Sequence, residues 1–236
     1  MLEDHRRSRG VHPPALFAAY ASTRLRAPLR PAVPLPPGLT ETTGPRPAAE
    51  RVLAAAADLT RDGAGEPLGE RIVVAGRVVD EDERPVAGTV VEIWQANAAG
   101  RYSHPDDRHR APLDPNFRGV GRCLTGADGG YRFVTIRPGA YPWRNHANAW
   151  RPAHIHFSLL GRAFAERLVT QMYFPGDPLL DHDPIAASIP DPAARRRLVA
   201  TWSPELTEPE WALGYRWDIV LRGGVSTPLH AAEGPG

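Results

Sequence analysis

Proline and glycine interrupt this chain so often that long helices are disfavoured and short strands are favoured. The 236 residues include 26 Pro and 22 Gly, and the character of the sequence becomes strand-like from Arg71 onward. Proline lacks a backbone donor for helices and sheets, and glycine favours turns. Many short strands joined by such turns, with little helix, are typical of a β-sandwich. We therefore expect an all-β fold, an antiparallel β-sandwich with short helices.

Alternating or β-branched segments predict individual strands. They lie at residues 71–80, 89–95, 131–137, 154–160, 167–174 and 215–222. The polar segment between the first two contains Pro85 and Gly88 and predicts a hairpin. Asp128-Gly129-Gly130 predicts a tight turn before the third strand. Asp191-Pro192 predicts the start of a short helix that ends near residue 200, with Asp as the cap and Pro at the first position.

The N-terminal residues 1–47 differ from the rest, so we expect an extended arm followed by one β-sandwich domain at residues 48–236. The arm is rich in Pro and Arg, which excludes a core strand or a long helix. Apolar residues within it, such as Phe17 and Tyr20, predict that it packs on another surface, such as a second subunit, instead of remaining disordered. The alanine-rich segment 48–59 predicts about three turns of helix.

Charge and composition exclude several classes of protein. A net charge of +1 argues against a broad nucleic-acid surface. No apolar run approaches the roughly 20 residues needed to span a bilayer. The lone Cys123 excludes an internal disulfide, and the first residues lack an apolar signal segment. We expect a cytoplasmic protein that binds neither nucleic acid nor a membrane.

The segment 139–157 carries the strongest functional signal in the chain. It contains one Tyr, two Trp, two Arg and a His-x-His pair. Arg151 precedes Pro152, which disfavours a helix there. In a strand, His154 and His156 would share one face, as two ligands of a metal could. The pair alone is weak evidence, because histidine also occurs as a half-buried strand residue, so both interpretations stay open at this point.

Several blocks of sequence, taken in order, carry a resemblance over nearly the whole chain. They lie at residues 41–45, 70–78, 92–97, 100–102, 111–122, 141–145, 150–157 and 215–223. Together they resemble the intradiol ring-cleaving dioxygenases, and within them the iron-bearing beta chains of the protocatechuate-cleaving type. The Pro-rich arm agrees, because the members that act on plain catechol carry a helical dimerisation region there instead.

The resemblance implies one Fe(III) per beta chain. Its ligands would be Tyr102, Tyr141, His154 and His156. Phenolate is a hard anionic donor that suits a hard ferric ion, and only a strongly acidic metal keeps phenols with a usual pKa of about 10 ionised. Zinc and ferrous sites more often use Cys or carboxylate ligands. No Asp or Glu occurs between residues 131 and 157, which disfavours both.

The resemblance also implies roles for residues around the metal. Tyr141 would act as a base as well as a ligand, and Arg151, helped by Gln171, would stabilise the electron-rich ring. The residues that it places near the substrate are Tyr20, Arg26, Trp143, Tyr173 and Ile185. Apart from the resemblance, Arg151 fits a paired or surface arginine, and Trp143 and Ile185 fit ordinary core positions.

The implied activity is cleavage of protocatechuate (3,4-dihydroxybenzoate) by O2 to 3-carboxy-cis,cis-muconate, within the beta-ketoadipate route of aromatic-compound catabolism. The implied partner is an alpha subunit, in a higher hetero-oligomer. Three positions depart from the pattern and bear on the choice of catechol: His146, His182 and Asp183. Alternatives are an intradiol dioxygenase for another catechol, a non-catalytic β-sandwich subunit, and a zinc hydrolase built on His154 and His156.

Overall fold

The computed structural model describes residues 10–30, 33, 54–61, 63–147, 150–160 and 167–230. Its strands are β1 (Arg71–Val79), β2 (Val90–Trp94), β3 (Val120–Leu124), β4 (Gly130–Ile136), β5 (Tyr141–Pro142), β6 (Trp150–Arg151), β7 (His154–Leu160), β8 (Arg167–Tyr173), β9 (Thr201–Trp202), β10 (Leu213–Arg216) and β11 (Ile219–Val220). The short helices are α1 (Thr23–Arg26), α2 (Pro184–Ala187) and α3 (Pro192–Arg196), with 3-10 turns at Ala54–Ala57, Leu59–Arg61 and Leu180–His182.

Two sheets form the body of the molecule. One has the order β3-β2-β7-β8 and is antiparallel throughout. In the other, β1 pairs antiparallel with β4 but parallel with β10 and β11, and β9 extends the sheet beyond β10. The all-β sandwich is therefore confirmed, whereas the expectation of purely antiparallel pairing holds for one sheet only. A separate two-stranded ladder joins β5 to β6.

The sheets pack face to face through aromatic side chains. The ring centroids of Phe157 on β7 and Phe133 on β4 lie 5.7 Å apart, and those of Phe157 and Trp217 lie 4.7 Å apart. Such pairs add to the hydrophobic burial that stabilises the sandwich. Because side chains alternate along a strand, Ile155 and Phe157 belong to the apolar core while His154 and His156 face the opposite side. The two imidazoles thus lie on the outer face of the four-stranded sheet.

The predicted hairpin between residues 71–80 and 89–95 is wrong, since β1 and β2 belong to different sheets. The turn itself exists: the N–H of Val86 donates to Val78 O at 2.9 Å, and Pro85 forms a bridge with Val79. After it, the chain crosses to the other sheet. Turn residues indicate that the chain reverses, but the strand it pairs with next is decided by packing.

The predicted strand 215–222 is interrupted at Trp217 and Asp218, which separate β10 from β11. The partners on β1 keep the same offset on both sides of the break, from Ala75 opposite Arg216 to Val78 opposite Ile219. Gly76 permits the interruption, because a Cβ there would lie 1.8 Å from Trp217 O. The backbone of Trp217 therefore approaches β1 more closely than a side chain would allow.

The helix predictions met different outcomes. Residues 48–53 lie outside the described part of the chain, and residues 54–57 form a 3-10 turn instead of α-helix. The Asp191 cap is confirmed, since its carboxylate accepts from the N–H groups of Ala193 (2.8 Å) and Ala194 (3.2 Å).

The tight turn predicted at Asp128-Gly129-Gly130 is also confirmed, with Gly129 at φ 77° and the N–H of Gly126 donating to Gly130 O at 2.8 Å. Strand β3 was not predicted.

Of the predicted arm, residues 10–30 and 33 are described. This part lies on its own domain at the loop after β5: the N–H of Ala21 donates to Asn145 O (2.8 Å), and that of Ser22 to Asn145 Oδ1 (2.7 Å). Tyr20 is buried there. Packing of the arm on a partner chain stays a prediction. Among the described residues, no helix has the length and apolarity needed to cross a membrane.

Candidate metal centre

The register of three strands assembles the buried half of the site. His156 on β7 lies opposite Trp94 on β2 and Gln171 on β8, and His154 lies opposite Tyr173. Directly paired residues on one face of an antiparallel sheet are close neighbours. The Trp94 ring accordingly stacks on the His156 ring, with centroids 4.8 Å apart and planes within 5°.

Two loops bring the tyrosines over this face. Tyr141 lies in β5, opposite Arg151 in β6. Tyr102 follows a turn at Gly100, where φ is +77° and a Cβ would lie 2.1 Å from Ala140 O. Only glycine combines this conformation with so close an approach, so Gly100 lets the loop of Tyr102 lie against the residue before Tyr141. The tyrosine rings meet edge to face, with centroids 5.4 Å apart.

The four predicted ligands converge on one point. Tyr141 OH lies 3.2 Å from His154 Nε2, the two Nε2 atoms lie 3.2 Å apart, and His156 Nε2 lies 3.1 Å from Tyr102 OH. The imidazoles are buried and the phenols are half-buried. The site is therefore open on the side of the tyrosines and closed on the side of the sheet.

Both imidazoles are held in the neutral form that metal binding requires. Burial, and then the positive charge of Arg151, lowers the pKa of His154 well below its usual value. Burial, and then His154, does the same to the pKa of His156. His154 Nδ1 lies 2.8 Å from Pro152 O, a carbonyl that can only accept, so its proton is on Nδ1 and its Nε2 lone pair points into the cluster.

The donor spacing fits a bound metal. Ligand distances of about 2.0–2.1 Å, at angles between tetrahedral and square, put neighbouring donors about 2.8–3.4 Å apart, and the observed 3.1–3.2 Å falls within that range. Within the described residues, no group of three or more His, Cys, Asp or Glu side chains could hold a metal ion. A metal at this site would therefore depend on the phenols, which suits a hard trivalent ion.

Arg151 lies directly behind the donors and is fully buried. Its Nη1 lies 3.0 Å from His154 Nε2 and donates to Tyr141 OH at 3.3 Å. Its Nη2 donates to Gln171 Oε1 at 2.6 Å, and its guanidinium carbon lies 5.2 Å from the centroid of Trp143. The guanidinium thus presents one amino group to the ligand set and anchors the other in the fold.

The family of the chain follows from sequence comparison. A family model described as "Dioxygenase" matches residues 43–223, and one described as "Protocatechuate 3,4-dioxygenase beta subunit N terminal" matches residues 5–38. The protocatechuate 3,4-dioxygenase beta chain of Burkholderia cepacia is 58% identical over 92% of this chain and 93% of its own length. The chain belongs to the protocatechuate 3,4-dioxygenase beta-chain family.

Solved structures place this beta-chain family member among related folds. 3-Chlorocatechol 1,2-dioxygenase from Rhodococcus opacus superposes with a TM-score of 0.54 at 24% identity, covering 72% of this chain and 66% of the other. Catechol 1,2-dioxygenase from Pseudomonas arvilla gives a TM-score of 0.53 at 26% identity, covering 75% and 60%. The first likeness shows the fold alone.

The remaining residues predicted to lie near the substrate occupy two places in the structure. Tyr20 packs edge to face on Trp143, with centroids 5.1 Å apart, and the Arg26 guanidinium carbon lies 4.6 Å from the Tyr20 centroid. These three residues form one continuous stack that reaches Arg151. Ile185 is buried in α2, where its N–H donates to Asp183 Oδ1 at 3.0 Å.

Three residues lie close to the site although none of them was predicted as a ligand, a catalytic residue or a substrate contact. Trp94 was noticed only as part of a sequence block, because its stacking on His156 depends on the β2–β7 register. His230 lies with its ring 6.1 Å from that of His156 and has no local motif. Asp183 was predicted to alter substrate preference together with His182. It is buried in an ion pair with Arg151 (2.8 Å), whereas His182 is exposed; an effect of either residue on substrate preference stays a prediction.

The third departure, His146, lies beside the stack of the arm. Its ring centroid is 5.9 Å from that of Trp143. Burial lowers the pKa of His146, and the charge of Arg151 acts in the same direction against that of Asp183. A neutral imidazole therefore lines the rim of the site next to Trp143.

Proposed function

We propose that this chain catalyses the intradiol cleavage of protocatechuate by O2 to 3-carboxy-cis,cis-muconate. The observation that carries the proposal is the convergence of two phenol oxygens and two imidazole nitrogens at 3.1–3.2 Å. The 58% identity to a protocatechuate 3,4-dioxygenase beta chain supports the choice of substrate. Tyr102, Tyr141, His154 and His156 would hold one ferric ion.

The metal and the chain would divide the chemistry between them. When bound, ferric iron would act as a Lewis acid that draws electron density from the ring of a catechol. Tyr141 would act as the base, because this residue is only half-buried, on the open side of the site, where a catechol hydroxyl could reach it. Tyr102 would stay as the second anionic donor, and the buried histidines would fix the floor of the site.

Arg151 would stabilise the ring as it becomes electron-rich. Its Nη1 points at the donors, and the guanidinium is fully buried, so its charge acts through a medium of low dielectric. Gln171 would orient it through the 2.6 Å hydrogen bond to Nη2. Trp143 would form the wall beside the ring, since it lies between Arg151 and Tyr20.

We further infer an alpha-subunit partner, a hetero-oligomer and a cytoplasmic location. The relative in Burkholderia cepacia is a beta chain, which supports a second subunit. Tyr20 and Arg26 would meet the carboxylate of protocatechuate together with that partner. The reaction would belong to the catabolism of aromatic compounds by the beta-ketoadipate route.

The test is a visible absorption spectrum of the iron-loaded protein, produced together with its partner chain. We expect a tyrosinate-to-Fe(III) band that shifts when protocatechuate is added without oxygen, and a product that takes both oxygen atoms from 18O2. Tyr141→Phe and His156→Ala should weaken or abolish the band. Tyr215→Phe is the matched control, because Tyr215 is a buried tyrosine of β10.

Other results would choose between the alternatives. A colourless protein, despite supplied iron and partner chain, would reject the ferric tyrosinate site and leave the non-catalytic subunit. A coloured protein that cleaves plain catechol but not protocatechuate would keep the chemistry and change the substrate.

A further inference from the structure

The carboxylate of Asp183 is buried at the back of the site and makes contacts with both of its oxygens. Oδ2 accepts from Arg151 Nη2 at 2.8 Å and from Tyr173 OH at 2.8 Å. Oδ1 accepts from the N–H of Ile185 at 3.0 Å and caps α2. The side chains of Asp183 and Arg151 are both 0% exposed. One carboxylate thus joins the guanidinium, a phenol and a helix terminus.

Arg151 needs such a partner, because it is a full positive charge buried against a ligand set for a cation. A buried charge without a counter-charge is strongly unfavourable. The neighbours on Nη2 other than Asp183 are uncharged: Gln171 is an amide, and burial keeps Tyr173 protonated by raising its pKa, an effect that Asp183 reinforces. Among the described residues, the ion pair of Arg151 is with Asp183.

We propose that Asp183 is a positioning residue of this site, which fixes the Arg151 guanidinium and balances its charge. The proposal rests on the proposed function, since it gives Arg151 its task. By holding Nη2, Asp183 leaves Nη1 directed at Tyr141 and His154. By supplying a negative charge on the far side of the guanidinium, it lowers the repulsion between Arg151 and a bound cation.

The same carboxylate also joins Arg151 to α2, the helix that carries Ile185. Asp183 lies immediately before α2, so its Oδ1 orients the helix that carries Ile185, while its Oδ2 orients Arg151. Loss of both carboxylate contacts would therefore displace the guanidinium and Ile185 together. Such a displacement by about 1 Å can lower a rate by about 100-fold.

The test compares Asp183→Asn with Asp191→Asn. Both aspartates precede a proline at the start of a short helix and cap it through backbone N–H groups, but Asp191 caps α3 and makes no ion pair with Arg151. Asparagine keeps a capping oxygen and removes the charge. In the iron-loaded complex with its partner chain, we expect D183N to lower kcat/KM for protocatechuate about 100-fold, mainly through kcat, and D191N to change it by less than about twofold.

A second measurement does not depend on turnover. In thermal unfolding of the metal-free complex, D183N and Arg151→Gln should each lower the melting temperature, because each leaves one buried group without its partner. The double variant R151Q/D183N should melt above either single variant, because neither charge remains.

The outcomes separate the two proposals. If the wild-type complex binds iron but does not cleave catechols, the proposed function fails, and the melting temperatures still decide the pairing of Asp183 with Arg151. If the wild type is active and D183N keeps its kcat within about twofold, Asp183 does not position Arg151. Additive losses in the double variant would equally overturn the pairing.

Discussion

His230 makes the stability of this protein sensitive to acid, and its contribution can be measured separately with one variant. Its side chain is 6% exposed, and its Nε2 has no hydrogen-bond partner among the described residues. Burial, reinforced by the positive charge of Arg151, lowers the pKa of His230 to about 3. The backbone N–H of His230 donates to Val169 O at 2.7 Å and does not depend on the side chain. We expect His230→Leu to remove this sensitivity.

The sign and size of this pH dependence follow from the pKa values of His230 in the unfolded and folded states. The unfolded chain has a histidine pKa of about 6.5, above the folded value of about 3. Below pH 6.5 the unfolded state therefore binds a proton that the folded state does not, and the free energy of unfolding decreases as the pH falls towards about 3. Above pH 6.5 the effect vanishes. Between pH 7 and pH 5, His230 should lower the free energy of unfolding by about 2 kcal/mol.

The assay is urea denaturation of metal-free wild type and His230→Leu at pH 7, 6 and 5. Burial lowers the pKa values of His154 and His156 well below the usual value, so both stay neutral in the two folded proteins and the difference between the proteins isolates His230. At pH 7 the variant should be as stable as the wild type or slightly more stable, because it removes a buried nitrogen that lacks a partner. At pH 5 its advantage should have grown by about 2 kcal/mol. A difference that stays constant from pH 7 to pH 5 would refute a neutral, buried His230.

Two further predictions concern the support of the ligands. Gly100→Ala should lower iron affinity more than tenfold and reduce stability by about 1–3 kcal/mol, because the added Cβ meets Ala140 O and separates the two tyrosine loops. Metal titration measures the first effect and urea denaturation the second. The control is Gly88→Ala, at a positive-φ glycine with open space around it. Trp94→Ala should weaken iron binding roughly tenfold, because His156 loses the ring that orients it; unchanged affinity in the same titration would show that the stack has no such role.

The strands that carry the histidines were predictable because their signal is local. Alternation in β7 separates Ile155 and Phe157 from His154 and His156, and a short residue pattern shows this without knowledge of the rest of the fold. The break between β10 and β11 was not predictable from that segment, because it depends on Gly76, far away in the chain, and on the close approach of Trp217. Sheet membership of β1 and β2 was missed for the same reason.

The same distinction between local signals and contacts of distant segments applies to the site. The four ligand positions followed from the family resemblance, and the structure brings their side chains together. The role of Asp183 could not be read from Asp-Pro, which indicates a helix cap and nothing about Arg151, 32 residues earlier. Trp94 and Gln171 lie beside His156 only through the register of β2 and β8. Contacts between distant segments thus account for what was missed.

Because of the alternation along β7, metal binding would also depend on the correct register of the sheet. If β7 paired with β2 and β8 one residue out of register, Ile155 and Phe157 would turn towards the tyrosines, and the imidazoles would turn into the apolar core. Such a misassembled sheet presents no nitrogen ligands. If the site holds iron as proposed, only molecules whose central strands are aligned would load the ion, so iron uptake would report the fraction of protein that has assembled its sheet in the correct register.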